Sequence, residues 1–244
     1  MKKIIITAAL VSALSGCASH KTHWSYAGNT APQHWGSLSP EFATCGKGKN
    51  QSPIDIQDSL DAKLPPISFS YSTKATEIVN NGHTIQVNIA AGSYIQVDGQ
   101  SFELKQFHFH TPSENEINSQ SFPLEAHFVH ADDSGNLAVV AVMFKQGEEN
   151  SLLKTVLSSM PSEKNKKNNL ANMPIDYAKM LPSNKDYYRY NGSLTTPPCS
   201  EGVRWLVFKN PVSIIDAQTQ QFETVLHHGN NRPTQPLNAR IIIE

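Results

Sequence analysis

The chain has 244 residues, with 20 lysines and arginines against 21 acidic residues and a net charge of −1. A charge near zero, with no basic clusters interleaved with aromatics, excludes a nucleic-acid-binding design, so no nucleic acid partner is expected. No Gly/Ser-rich linker, internal repeat or composition break divides the sequence, which argues for one large domain.

The N-terminus reads Met1-Lys2-Lys3, an apolar run from Ile4, then Leu14-Ser15-Gly16-Cys17. A basic start, a short apolar core and small residues make an export signal, and the run is too short for a transmembrane helix. Residues 1–17 are therefore predicted to be a leader ending in a lipobox-like cysteine. Lipidation of Cys17 would anchor the protein to a membrane in the periplasm, and 18–244 would form the mature domain. Cleavage near Ala18, giving a free periplasmic or secreted protein, is the alternative.

Six short apolar, β-prone runs follow in order: Ile85 to Ala90, Tyr94 to Val97, Leu104 to Phe109, Leu124 to His130, Leu137 to Phe144 and Val203 to Lys209. Gly and Asn-Gly signals punctuate them. Helices are predicted for Ser151 to Met160 and for Asp216 to His227, the second placing Phe222, Val225 and Leu226 at helical spacing. Glu163 to Lys167 lies among asparagines and reads as a solvated loop. The expected fold is mainly β (α+β), a large central sheet with short peripheral helices.

Two of these runs carry the chemistry. Alternate residues of a strand share a face, so His108 and His110 can aim both imidazoles at one point. His127, on a neighbouring run, can supply a third nitrogen. Three neutral imidazoles with an open fourth position are how a protein builds a catalytic zinc site. Metal-bound histidines give their other N–H to a carboxylate, carbonyl or water. Gln106 shares a face with His108, and Glu125 with His127, so both are candidate partners. His130 has the opposite parity to His127 and reads as core.

The same residues lie in a longer ordered set. Ser113-Glu114-Asn115-Glu116-Ile117 leads to Phe122 and to Glu125-Ala126-His127-Phe128-Val129. Trp24-Ser25-Tyr26, Asn50-Gln51-Ser52-Pro53-Ile54-Asp55-Ile56 and Asn80-Asn81-Gly82-His83 precede it. Tyr190, Gly192-Ser193-Leu194-Thr195-Thr196-Pro197-Pro198, Trp205, Asn231-Arg232-Pro233 and Gln235-Pro236-Leu237 follow. Together they resemble the bacterial branch of the α-carbonic anhydrase family, over nearly everything after Thr22.

The resemblance implies a mainly antiparallel, ten-stranded twisted sheet, a Zn2+ cofactor, and reversible hydration of carbon dioxide to bicarbonate by zinc-hydroxide attack. It assigns the zinc to His108, His110 and His127, and the aiming of the nucleophile to Thr195 and Glu114. A hydroxyl can donate and accept at once, while an ionised carboxylate only accepts, so Thr195 would donate to Glu114. The Thr195 main-chain N–H would steady developing charge on substrate. Val129, Val139, Leu194, Thr196, Val203 and Trp205 would line the substrate pocket. The Asn230 carbonyl would support His110, and His83 would shuttle protons through water ordered by Asn81 and Gln86. Read without the family, the 194–198 stretch is an ordinary Pro-stiffened loop and Glu114 a surface acid.

The resemblance also implies a Cys45–Cys199 disulfide, which agrees with cysteine parity if Cys17 carries lipid. Homodimerisation, common among bacterial relatives, is left open by this chain. Asn115 replaces a histidine frequent in the family, and the expectation is weaker hydrogen bonding around Glu125 and Tyr190. Two rival readings differ in class. A cupin would use His108, His110 and Glu114 as metal ligands, but its second motif is missing downstream. A metal-free carbonic-anhydrase-like binding domain would lack a zinc histidine, and all three are present.

Overall fold

A computed structural model describes residues 22–170 and 176–244. The leader, with Cys17, lies outside the described residues. Among the described residues thirteen strands are present: β1 (Asp55–Ile56), β2 (Ser68–Ser70), β3 (Ala75–Asn80), β4 (Ile85–Ile89), β5 (Tyr94–Val97), β6 (Gln100–His110), β7 (Glu116–Ile117), β8 (Leu124–Ala131), β9 (Leu137–Gln146), β10 (Lys166–Asn169), β11 (Tyr187–Ser193), β12 (Glu201–Phe208) and β13 (Val212–Ile214). The α-helices among the described residues are α1 (Trp35–Leu38), α2 (Thr44–Lys47), α3 (Ser151–Ser159) and α4 (Asp216–Leu226).

Eleven strands form one sheet, in the order β10-β3-β4-β6-β8-β9-β12-β11, with β5 also on β6, β2 on β5 and β13 on β9. Pairing is antiparallel except where β12 and β13 meet β9. The sheet thus exceeds the ten strands expected. Part of the difference is β10, whose Lys166 and Lys167 fall in the stretch read from sequence as a loop. All four of its residues are exposed, so no apolar alternation betrays it, and main-chain pairing with β3 alone makes it a strand. Lysines on an edge strand discourage further chains from adding to the sheet.

The two faces of the sheet have different tasks. One packs Phe107, Phe109, Phe128, Val140, Val142 and Phe144 against α3 and α4 in the main core. The other carries His108, His110, His127 and Val129 beside the smaller core of Val139, Ala141, Met143 and Trp205. A bulge in β6 between Leu104 and Gln106 sets this division. Phe102 and Leu104 enter the main core on even positions, and Phe107 and Phe109 on odd ones. The extra residue switches parity and turns Gln106, His108 and His110 to the opposite face.

Cys45 and Cys199 are bridged, with Cα atoms 5.0 Å apart, across a sequence separation of 154. Closing a loop of that length restricts the unfolded chain by about 5 kcal/mol on the chain-entropy reckoning. The bridge fastens α2 to the segment bearing Thr195.

Candidate active site

β6 and β8 bring the histidines together by register. His108 pairs directly with His127, and His110 with Glu125. The three imidazoles each present one nitrogen, and these nitrogens lie within 4.8 Å of one another. Two of the remaining nitrogens are hydrogen-bonded, and the third lies against a carboxylate. His108 Nδ1 is 2.8 Å from Gln106 Oε1, and His110 Nδ1 is 2.7 Å from the Asn230 carbonyl oxygen. His127 Nε2 lies 2.9 Å from Glu125 Oε1, in contact but short of the alignment a full hydrogen bond needs. Because amide and main-chain carbonyl oxygens only accept, His108 and His110 carry their protons on Nδ1 and leave Nε2 as a lone pair.

His110 Nε2 is buried and without a protein hydrogen-bond partner. Unpaired buried nitrogens are costly, and a cation accepting the three lone pairs removes that cost. Burial lowers the pKa of all three rings, and for His108 and His127 neighbouring histidines lower it further. Neutral rings are what a metal requires. Three nitrogen donors suit zinc, so the residues fit the ion.

Behind the ligands is a fully buried acidic pair. Glu125 Oε2 accepts from the main-chain N–H groups of Glu114 (2.7 Å) and Asn115 (2.9 Å). The Asn115 side chain donates to Glu125 Oε1 at 2.8 Å, while its Oδ1 accepts from Tyr190 at 2.9 Å. Asn115 thus bonds both Glu125 and Tyr190 at ordinary distances. A primary amide has a donor and an acceptor on one side chain, and Asn115 uses the donor on Glu125 and the acceptor on Tyr190. Glu114 Oε1 accepts from the Arg232 main chain at 2.8 Å. Burial pushes the Glu114 pKa well up, opposed by the Arg232 N–H, the Thr195 side chain and the Arg232 charge.

The histidines form the floor of a cavity of about 190 Å³. Val129, Val139, Leu194 and Trp205 make an apolar wall, Thr195 and Thr196 another side, and Asn81, His83, Thr84 and Gln86 the polar one. Val203 is the exception among the expected pocket residues. It is buried beside Trp205 in the smaller core and does not line the cavity. A larger, more open hollow of about 580 Å³ between Asp55 and Ile242 contains none of the histidines.

Two features were invisible in sequence. Trp24 stacks on His83 with ring centroids 3.8 Å apart. Burial, followed by the nearby Lys164, His23 and His228, lowers the His83 pKa to about 4. A near-neutral histidine was expected at this place, and stacking removes the water that would support its charge. Arg232 is the second. Its guanidinium donates to Gln51, Ser52 and the Cys45 carbonyl, so one residue joins the disulfide segment to Glu114. Its motif was visible, but the direction of its side chain was not. Asn230 has a wider role than expected: beyond His110, its amide binds Thr111 N and the carbonyls of His83 and Phe109.

The model of the eukaryotic-type carbonic anhydrase family matches residues 30–244. The chain belongs to the α-carbonic anhydrase family. It is 47% identical to a carbonic anhydrase of Pectobacterium atrosepticum over 241 residues, covering 99% of this chain and 98% of that protein. A carbonic anhydrase of Neisseria gonorrhoeae is 46% identical, with 98% and 96% covered. Among solved structures, the α-carbonic anhydrase of Thermovibrio ammonificans in complex with sulfanilamide superposes with a TM-score of 0.90 at 53% identity, over 92% of this chain and all (100%) of that one. The fold class and the three-histidine cluster expected from the sequence are those of this family.

Proposed function

We propose that this protein is a zinc carbonic anhydrase, interconverting carbon dioxide and bicarbonate outside the cytoplasm. The observation that carries this is the convergence of three neutral imidazoles, two of which have their outward nitrogens hydrogen-bonded while the third touches Glu125. Bound there, Zn2+ supplies Lewis-acid chemistry that makes water nucleophilic near neutral pH, an effect for which carbonic anhydrase is itself the reference case.

The chain's own residues supply the rest. Thr195, whose side chain lowers the Glu114 pKa, would donate its proton to that carboxylate and keep an oxygen lone pair for the cavity, which would orient the nucleophile. Glu114 holds that direction while it is ionised; burial opposes ionisation and the Arg232 N–H favours it. The Thr195 main-chain N–H makes no hydrogen bond within the protein among the described residues, and we assign it to the substrate oxygen where charge develops. Val129, Val139, Leu194 and Trp205 give the apolar gas a place without competing water. Thr196 closes that wall.

His83 is the proton carrier in this reading. Stacked on Trp24, with its pKa lowered to about 4, the ring has a proton affinity that counts against taking up a proton while it stays in this position. Asn81 and Gln86 order the water between. The Cys45–Cys199 bridge supports an oxidising compartment, consistent with export and with a Cys17 lipid anchor; mass spectrometry of the mature N-terminus decides between lipidation and cleavage near Ala18. Whether two copies associate is answered by light scattering of the mature chain.

The deciding experiment is stopped-flow carbon dioxide hydration with the zinc-loaded protein, after chelation, and after zinc is restored. Activity that vanishes and returns is expected. Full zinc occupancy without hydration would reject the enzymatic reading in favour of a binding role.

A further inference from the structure

A line of polar side chains leads from the cavity to the sheet's edge. Gln86 lines the cavity and pairs with His108 across β4 and β6. Its Nε2 donates to Asn88 Oδ1 at 2.7 Å. Asn88 Nδ2 donates to Glu77 Oε1 at 2.8 Å, and Glu77 Oε2 takes the Lys167 ammonium of β10 at 2.9 Å. Asn88 and Glu77 are direct partners across β3 and β4.

The far end of this line dictates the near end. An ionised carboxylate can only accept, so Asn88 must turn its NH2 toward Glu77. Its carbonyl oxygen is then aimed at Gln86, which must donate. That commits Gln86 Nε2 and leaves Oε1, without a protein partner among the described residues, for the cavity. We infer that Glu77, one strand in from the sheet's edge, is a positioning residue that makes Gln86 present an acceptor to the cavity's water. The inference rests on the reading of Gln86 as a water-ordering residue. Glu77 keeps its charge throughout the working range, because Lys167 and Asn88 lower its pKa.

The logic gives an unusual test. In Glu77→Gln, Lys167 still demands an acceptor, so the new amide turns its oxygen to Lys167 and its NH2 to Asn88. Asn88 then flips and donates to Gln86, and Gln86 Nε2 faces the cavity. Adding Lys167→Glu reverses the demand, because the carboxylate introduced on β10 only accepts, and the original orientation returns. Lys167 is exposed and Glu77 half-buried, with side chains 68% and 29% accessible, so folding is little affected. Lys167→Gln alone leaves Glu77 a pure acceptor and serves as the control.

The experiment is carbon dioxide hydration kinetics on the zinc-loaded variants, with side-chain amide NMR of Gln86. Proton release follows the carbon dioxide step, so kcat should fall roughly threefold in Glu77→Gln while kcat/KM holds. The Gln86 amide resonances should shift, and both effects should revert in the double variant but be absent in Lys167→Gln. Unchanged kcat and amide signals in Glu77→Gln would overturn the inference. So would equal losses in Glu77→Gln and Lys167→Gln, or no recovery in the double variant. If the unaltered protein hydrates no carbon dioxide, the proposed function fails, and the amide signals alone still judge the orientation.

Discussion

His127 and His130 lie on the same strand, both buried and both with a lowered pKa, yet they are built for opposite purposes. His130 points into the main-core side, where its Nε2 is 2.7 Å from the Tyr71 hydroxyl and its Nδ1 3.3 Å from the Ala138 carbonyl. Both nitrogens are occupied, and the ring is a finished piece of the core. His127 contacts Glu125 on one side and turns its other nitrogen toward His108 and His110. Only Phe128 and Val129 separate a satisfied histidine from a ligand. Burial is common to both and therefore does not identify the ligand; the nitrogen left for a shared point does.

That comparison breaks most visibly at its ligand end. His127→Ala should abolish tight zinc retention and lower carbon dioxide hydration by roughly three orders of magnitude or more, since the water pKa moves back toward its bulk value. Metal content by mass spectrometry and stopped-flow rates test this together. Glu125→Gln attacks the support instead of the ligand. It should weaken zinc affinity by about 10- to 100-fold, seen as faster loss to chelator, with most activity retained at saturating zinc. An unchanged zinc off-rate would mean that Asn115 and the strand register alone hold His127 in place.

How much of this was legible follows from which interactions are periodic. The ligands were visible because His108, His110 and His127 alternate within β-prone runs, and two-residue periodicity reports a face directly. The strand ends were less so. The run read as Leu104 to Phe109 begins at Gln100 in the structure, because the bulge after Leu104 breaks the alternation that would have connected Phe102 to Phe107. β10 had no apolar signature at all. Thr195 and Glu114 gave no local sign, since their partnership spans loops far apart in the chain, and only resemblance to a family picked them out. The Trp24 stack on His83 escaped both routes, as it depends on where an N-terminal segment comes to rest.

His83 is a third kind of histidine, half-exposed and bound to neither purpose, and it sharpens the contrast at the cavity's mouth. His83→Ala should lower kcat by about tenfold while sparing kcat/KM, and added imidazole should restore the rate. Trp24→Ala offers the converse. Removing the stack should raise the His83 pKa from about 4 toward the value of a solvated ring, measurable by NMR titration. A pKa that stays put would assign the depression to Lys164, His23 and His228 instead of to burial.

The smallest expected effect lies at the finished end. Burial holds the His130 pKa at about 3, whereas in the unfolded chain a histidine titrates at about 6.5. Between those values the unfolded chain binds a proton that the native protein refuses, so stability declines as pH falls through that window. One such group contributes a slope of at most about 1.4 kcal/mol per pH unit. His130→Gln keeps the geometry, with its amide oxygen accepting from Tyr71 and its NH2 donating to Ala138, but it has nothing to titrate. Urea denaturation of the zinc-free protein at pH 7, 5.5 and 4.5, values chosen to span roughly that window, should show a shallower loss for His130→Gln than for the unaltered chain. The other histidines titrate alike in both and cancel in the difference. Equal slopes would mean that His130 takes up its proton in the native state, and that a satisfied histidine is less closed to protons than its two partners imply.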